Sequence, residues 1–225
     1  MESNPEVMNK YISKMGFPVD KYSFVDVLST DDWAQDMVPQ PVAAVVFLYP
    51  IKEASEQFRA QEAARIEADG QEVADSLYYM KQTVGNACGT VGILHAVGNA
   101  TDKVTPAEGS YLDKFMQATR SMAPMEIAEY LEEEDEIEEQ HTTAAAEGNT
   151  APPPMEENVN THFICLTAVE GSLYELDGRK KGPVNHGPSS PETLLRDACN
   201  VIKQFIERDP GEYRFTIVAL APTEG

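Results

Sequence analysis

Apolar positions fall into two spacings along this chain. Val42 to Tyr49 is a continuous apolar run ended by Pro50, which predicts a buried strand. Lys52 to Asp69 is charged and amphipathic at helical spacing and stops at Gly70, and Gln71 to Lys81 reads as another helical stretch. Helices are expected over Asn86 to Gly98, Ser110 to Met122 and Met125 to Glu139, with a break near Pro124. Another is expected over Pro191 to Arg208, with proline at its front and Asp209-Pro210-Gly211 as its stop. Two β-type runs, His162 to Val169 and Ser172 to Gly178, flank Glu170-Gly171 and predict a hairpin; Arg214 to Leu220 reads as a final strand. Helices first, then a hairpin, then helix and strand predict an α+β fold in which a sheet packs against a helix that carries a cysteine.

Composition narrows the classes. A chain of 225 residues, 42% hydrophobic and without internal repeats, is long enough for one domain with a substantial core over residues 1–225. Neither a bilayer-length apolar run nor a basic-plus-apolar leader is present, so a cytoplasmic protein is expected. Three cysteines give no even disulfide framework and suit a reducing compartment, and no Cys-x-x-Cys spacing suggests a metal. The net charge of −21 argues against nucleic acid as a partner and favours a cationic one. Much of it lies in Met125 to Glu139, a run that also fits a solvated helix face.

The chemistry concentrates in Gln82-Thr83-Val84-Gly85-Asn86-Ala87-Cys88-Gly89-Thr90-Val91-Gly92. Asn86 reads as an N-cap, which puts Cys88 at about the second helical position, where the dipole favours thiolate. Gly89 and Gly92 would let another chain approach the sulfur. The same stretch fits a capped core helix holding a small apolar cysteine. A nucleophile needs a base. His95 lies seven residues on, roughly 10 Å along the helix, and reads as a packed core histidine. His141 reads as solvated, and His186 sits in a turn-like stretch. His162 opens an apolar strand: with Glu170-Gly171 as the turn, Ile164 pairs with Asp177, so His162 and Asp177 become diagonal neighbours on one face, about 7–8 Å apart at the backbone. That register brings a carboxylate within reach of the imidazole. An amide such as Gln82, just upstream, can aim N–H at an oxyanion.

Gln82 to Val97 (Q-T-V-G-N-A-C-G-T-V-G-I-L-H-A-V) and Leu173 to Gly187 (L-Y-E-L-D-G-R-K-K-G-P-V-N-H-G) resemble the ubiquitin C-terminal hydrolase family, close to its small single-domain members. Asn4-Pro5-Glu6-Val7, Met37 to Val42 and Glu207 to Pro210 extend the likeness nearly end to end. The resemblance implies a papain-like thiol protease core with a mostly antiparallel sheet and a knotted backbone. It implies Cys88 as nucleophile, His162 as general base and acid, Asp177 as its orienter and Gln82 in the oxyanion hole. It further implies an active-site crossover loop over 140–160, passage of small adducts or short tails, no cofactor, and a monomer. The implied partner is ubiquitin, through its basic face and C-terminal tail, or a ubiquitin-like modifier. Family members usually begin with a Trp/Pro/Leu-containing segment before Asn-Pro-Glu, where this chain has Met1-Glu2-Ser3.

Overall fold

The computed structural model describes residues 2–133 and 161–223. Six strands form one antiparallel sheet: β1 (Tyr22–Asp26), β2 (Ala44–Pro50), β3 (Thr161–Val169), β4 (Ser172–Leu176), β5 (Val184–Pro188) and β6 (Thr216–Pro222). They lie in the order β1-β6-β2-β3-β4-β5. Seven helices are described: α1 (Pro5–Lys14), α2 (Asp32–Gln35), α3 (Glu53–Asp69), α4 (Cys88–Gly98), α5 (Tyr111–Thr119), α6 (Pro124–Glu132) and α7 (Leu194–Glu207). The architecture is α+β, as the order of elements predicts.

Strand alternation builds two cores, one on each face of the sheet. Val46 of β2, Phe163 and Cys165 of β3, and Val218 and Leu220 of β6 pack with residues of α1, α4, α5 and α6. Their neighbours Val45, Phe47, Ile164, Leu166, Ile217 and Ala219 face α7. The amphipathic α7 answers with Leu194, Leu195, Ala198, Cys199, Ile202 and Phe205. Helix α4 is apolar all round, and every residue from Gly89 to Gly98 is buried against β2 and β3. By contrast α3 buries only Glu62 and stops at Gly70, whose φ of 73° suits glycine.

Three expectations are corrected. Gln71 to Lys81 is not a helix. Its backbone groups are taken by distant partners: Ala74 N–H by the Tyr174 hydroxyl, Tyr78 N–H by Asn99 Oδ1, Met80 N–H by His95 Nε2 and Lys81 N–H by the Pro124 carbonyl. Asn86 is not the cap of α4. It takes a left-handed φ of 62°, which asparagine tolerates, and Ala87 stands at the N-cap with no side-chain bond, so Cys88 is the first helical residue. Gly92 does not open a path to the sulfur: a Cβ there would meet Phe163 Cβ at 3.5 Å, so this glycine faces the sheet. The crossover segment 140–160 and His141 lie outside the described residues, as does the end of the acidic run.

Candidate active site

The hairpin forms in the expected register, with Val169 opposite Ser172 and Cys165 opposite Leu176. Glu170 and Gly171, at φ of 49° and 81°, make a turn whose twist matches the strands. This carries Asp177, just past β4, alongside His162 at the start of β3. His162 Nε2 and Asp177 Oδ1 are 2.7 Å apart, with both side chains buried. The same oxygen accepts the Arg179 N–H at 2.8 Å. Tyr49, paired with His162 across the strands, sets its ring at 88° to the imidazole with centroids 5.9 Å apart. The ring is therefore held by a carboxylate and an aromatic neighbour.

Cys88, half-buried at the first turn of α4, is hydrogen-bonded to His162. Burial pushes the thiol up, and the hydrogen bond and charge of His162 overcome it, with help from the Phe163 N–H, so the net direction is down. Burial likewise disfavours a charged His162. Its bonds to Asp177 and Cys88, and their charges, raise it from 6.5 to about 9. Burial also opposes ionisation of Asp177, and the His162 bond and charge reverse the sign. All three directions favour the charged forms, thiolate, imidazolium and carboxylate, over the neutral ones.

Gln82 reaches the same region by another route. Its N–H donates to the Gly178 carbonyl at 3.0 Å, beside Asp177. Its side-chain amide donates to the Val84 carbonyl at 3.2 Å, and its Oε1 is buried without a partner. Gly178 is required there, because a Cβ would sit 2.8 Å from Gln82 Cβ and 2.9 Å from Gln82 N. His95 is fully buried and brought down to about 4, chiefly by burial, as suits a neutral core ring.

His186 lies on β5, and its Nε2 meets Glu175 Oε2 at 2.9 Å. With Glu62 these groups place three possible ligand atoms within 4.8 Å of one another. The Lys180 ammonium already contacts both carboxylates, and its charge, against a strong burial effect, helps hold Glu175 well below the usual carboxylate range. The cluster is thus a buried ion network in which the ammonium already occupies both carboxylates, unsuited to a metal while it stays. Tyr49, Gly178 and this network escape sequence reasoning because they depend on neighbours far away in the chain. Glycine directly after Asp177 was the one visible signal.

A thiol at a helix start, an imidazole on the adjacent strand and a buried carboxylate beyond it define a papain-like cysteine hydrolase. A family model described as "Ubiquitin carboxyl-terminal hydrolase, family 1" matches residues 1–207. The chain is 49% identical over 221 residues to "Ubiquitin carboxyl-terminal hydrolase 3" of Arabidopsis thaliana, covering 98% of this chain and 92% of that one. To the human "Ubiquitin carboxyl-terminal hydrolase isozyme L1" it is 43% identical, covering 98% and 96%. The chain belongs to this family of cysteine-type deubiquitinases. Its fold is also that of the UCH37 catalytic domain of Trichinella spiralis, solved bound to ubiquitin vinyl methyl ester. That match has a TM-score of 0.76 at 20% identity and covers all of this chain and 94% of the other. Among the described residues no helix is long and apolar enough to cross a membrane.

Proposed function

We propose that this chain hydrolyses the bond after the C-terminal glycine of ubiquitin, with Cys88 as nucleophile, His162 as general base and acid, and Asp177 as the group that orients His162. The observation that carries the assignment is the buried 2.7 Å contact of His162 with Asp177 beside the hydrogen-bonded Cys88. The Cys88 thiolate attacks the glycine carbonyl. The N–H of Cys88, at the helix start where it has no intrahelical acceptor, and the Gln82 amide stabilise the oxyanion. For this the amide leaves the Val84 carbonyl, which it holds in the free site. His162 then protonates the departing amine or thiol, and water cleaves the thioester.

Small adducts and short flexible tails are the leaving groups of this reading, and ubiquitin is its substrate. The enzyme works as a monomer in the cytoplasm, where its free cysteines stay reduced. The test is release of a fluorogenic amide from the ubiquitin C-terminus. Cys88→Ala is expected to abolish release while retaining ubiquitin binding; undiminished turnover in that variant would overturn the assignment. A second reading, a thiol hydrolase for a ubiquitin-like modifier, predicts faster release from that modifier carrying the same leaving group.

A further inference from the structure

We propose that Tyr79 is a positioning residue for the reaction above: its buried hydroxyl clamps the turn that presents Asp177 to His162. The turn runs from Asp177 to Lys180 and is closed by the Lys180 N–H on the Asp177 carbonyl at 3.0 Å. Tyr79 Oη lies between the two end carbonyls of this turn, 2.9 Å from that of Asp177 and 3.0 Å from that of Lys180, so one proton is shared between them. The Lys180 carbonyl has a second donor in the Lys81 ammonium. The Asp177 carbonyl has Tyr79 as its donor besides the Lys180 N–H of its own turn.

The turn has further ties, among them Arg179 to the Glu56 carboxylate and the Arg59 guanidinium to the Arg179 carbonyl. Gln82 N–H holds the Gly178 carbonyl, and the Lys180 side chain is anchored to Glu62 and Glu175. The segment from Tyr79 to Gln82 thus runs beside the turn as a rail, and Tyr79 is its only hydroxyl reaching Asp177 among the described residues. Its own ring is 5% exposed and stacks on His95 at 5.3 Å and 13°. His95 is in turn fixed by the Met80 N–H at 3.1 Å. Both groups stay uncharged, because burial raises the phenol and lowers the imidazole. The result is a neutral stack, with the hydroxyl directed at the backbone of the charged orienter.

Removing the hydroxyl takes a donor from the buried Asp177 carbonyl and loosens the turn. Asp177 then holds His162 less well, and His162 loses its proton at lower pH. The distinguishing readout is therefore the titration of His162, followed by NMR of its ring carbon and proton in the intact chain. Tyr79→Phe is expected to move that titration down by about half to one pH unit, a size set by the loss of one buried hydrogen bond. The alkaline limb of turnover should move with it. On an Asp177→Asn background, Tyr79→Phe should add no further shift.

A purely structural role would lower the melting temperature and leave the His162 titration in place; that result, or an equal shift on the Asp177→Asn background, overturns the proposal. The proposal rests on the hydrolase reading for its mechanism, but the NMR titration needs no ubiquitin. Absence of ubiquitin-amide release by the wild type, with the Tyr79 shift intact, would sink the hydrolase reading alone.

Discussion

His162 carries two opposing demands. It sits in a buried setting that disfavours charge, yet its partners require charge. The partners win because Asp177 is buried with it at 2.7 Å and holds it with direct hydrogen bonding, where little water screens the pair. Asp177→Asn keeps the shape and removes the charge. Turnover is expected to fall by at least about tenfold with the fold intact, as measured by ubiquitin-amide release and circular dichroism. An unchanged rate would remove Asp177 from the mechanism. The raised His162 also links stability to pH. A group lifted from 6.5 to about 9 on folding contributes stability that is complete below about 6.5 and disappears as pH rises through about 9. The difference in melting temperature between wild type and Asp177→Asn should therefore narrow over that window. A difference that widened there would contradict the protonation state assigned to His162.

At the scale of elements, legibility follows how local the stabilising contacts are. Helix α1 uses its own neighbours: Asn4 Oδ1 accepts the Glu6 N–H at 2.9 Å, and Pro5 fits the first turn. The hairpin register was readable because side-chain alternation and a two-residue turn leave one pairing that buries both strands. Gln71 to Lys81 reads as helical from its residue types, but tertiary partners take its N–H groups, and its last residues, Tyr79 to Lys81, run on to Gln82 beside the Asp177 turn. At Gly178 the turn lies directly against Gln82 of that segment. Gly178→Ala has to push Gln82 or the turn aside, since the backbone nitrogen lies 2.9 Å from the new Cβ. A loss of about 1–3 kcal/mol in stability is expected, read by urea unfolding, together with reduced turnover. A variant as stable and active as wild type would show that this approach is not tight.

For the whole molecule, 38 acidic against 17 basic residues produce a field that no single glutamate controls. Such a field attracts a cationic partner and fades as salt shortens the Debye length. The association rate with ubiquitin is expected to fall several-fold between low and physiological salt, with a smaller change in dissociation. Stopped-flow binding with Cys88→Ala separates the two. An association rate indifferent to salt would reduce the net charge to a matter of solubility. The two-sided core sets a different property: α4 and α7 press on opposite faces of one sheet, so the strand that carries His162 is held from both sides.

Much of this protein was determined by its sequence alone. Alternation and helical spacing locate the main strands and most helices, and the hairpin register makes His162 and Asp177 diagonal neighbours, because such signals depend on residues a few positions apart. The motif blocks around Cys88 and Asp177 point to the family for the same local reason. Tertiary structure decided the rest. It turned Asn86 into a left-handed residue ahead of α4, kept Gln71 to Lys81 out of a helix, and set Tyr49, Tyr79 and the Lys180 ion network around the site. Those outcomes depend on buried polar groups finding partners 100 residues or more away in the chain, as Tyr174 does for Ala74 and Lys180 does for Tyr79 and Glu62. No pattern within a short window records which partner will be there.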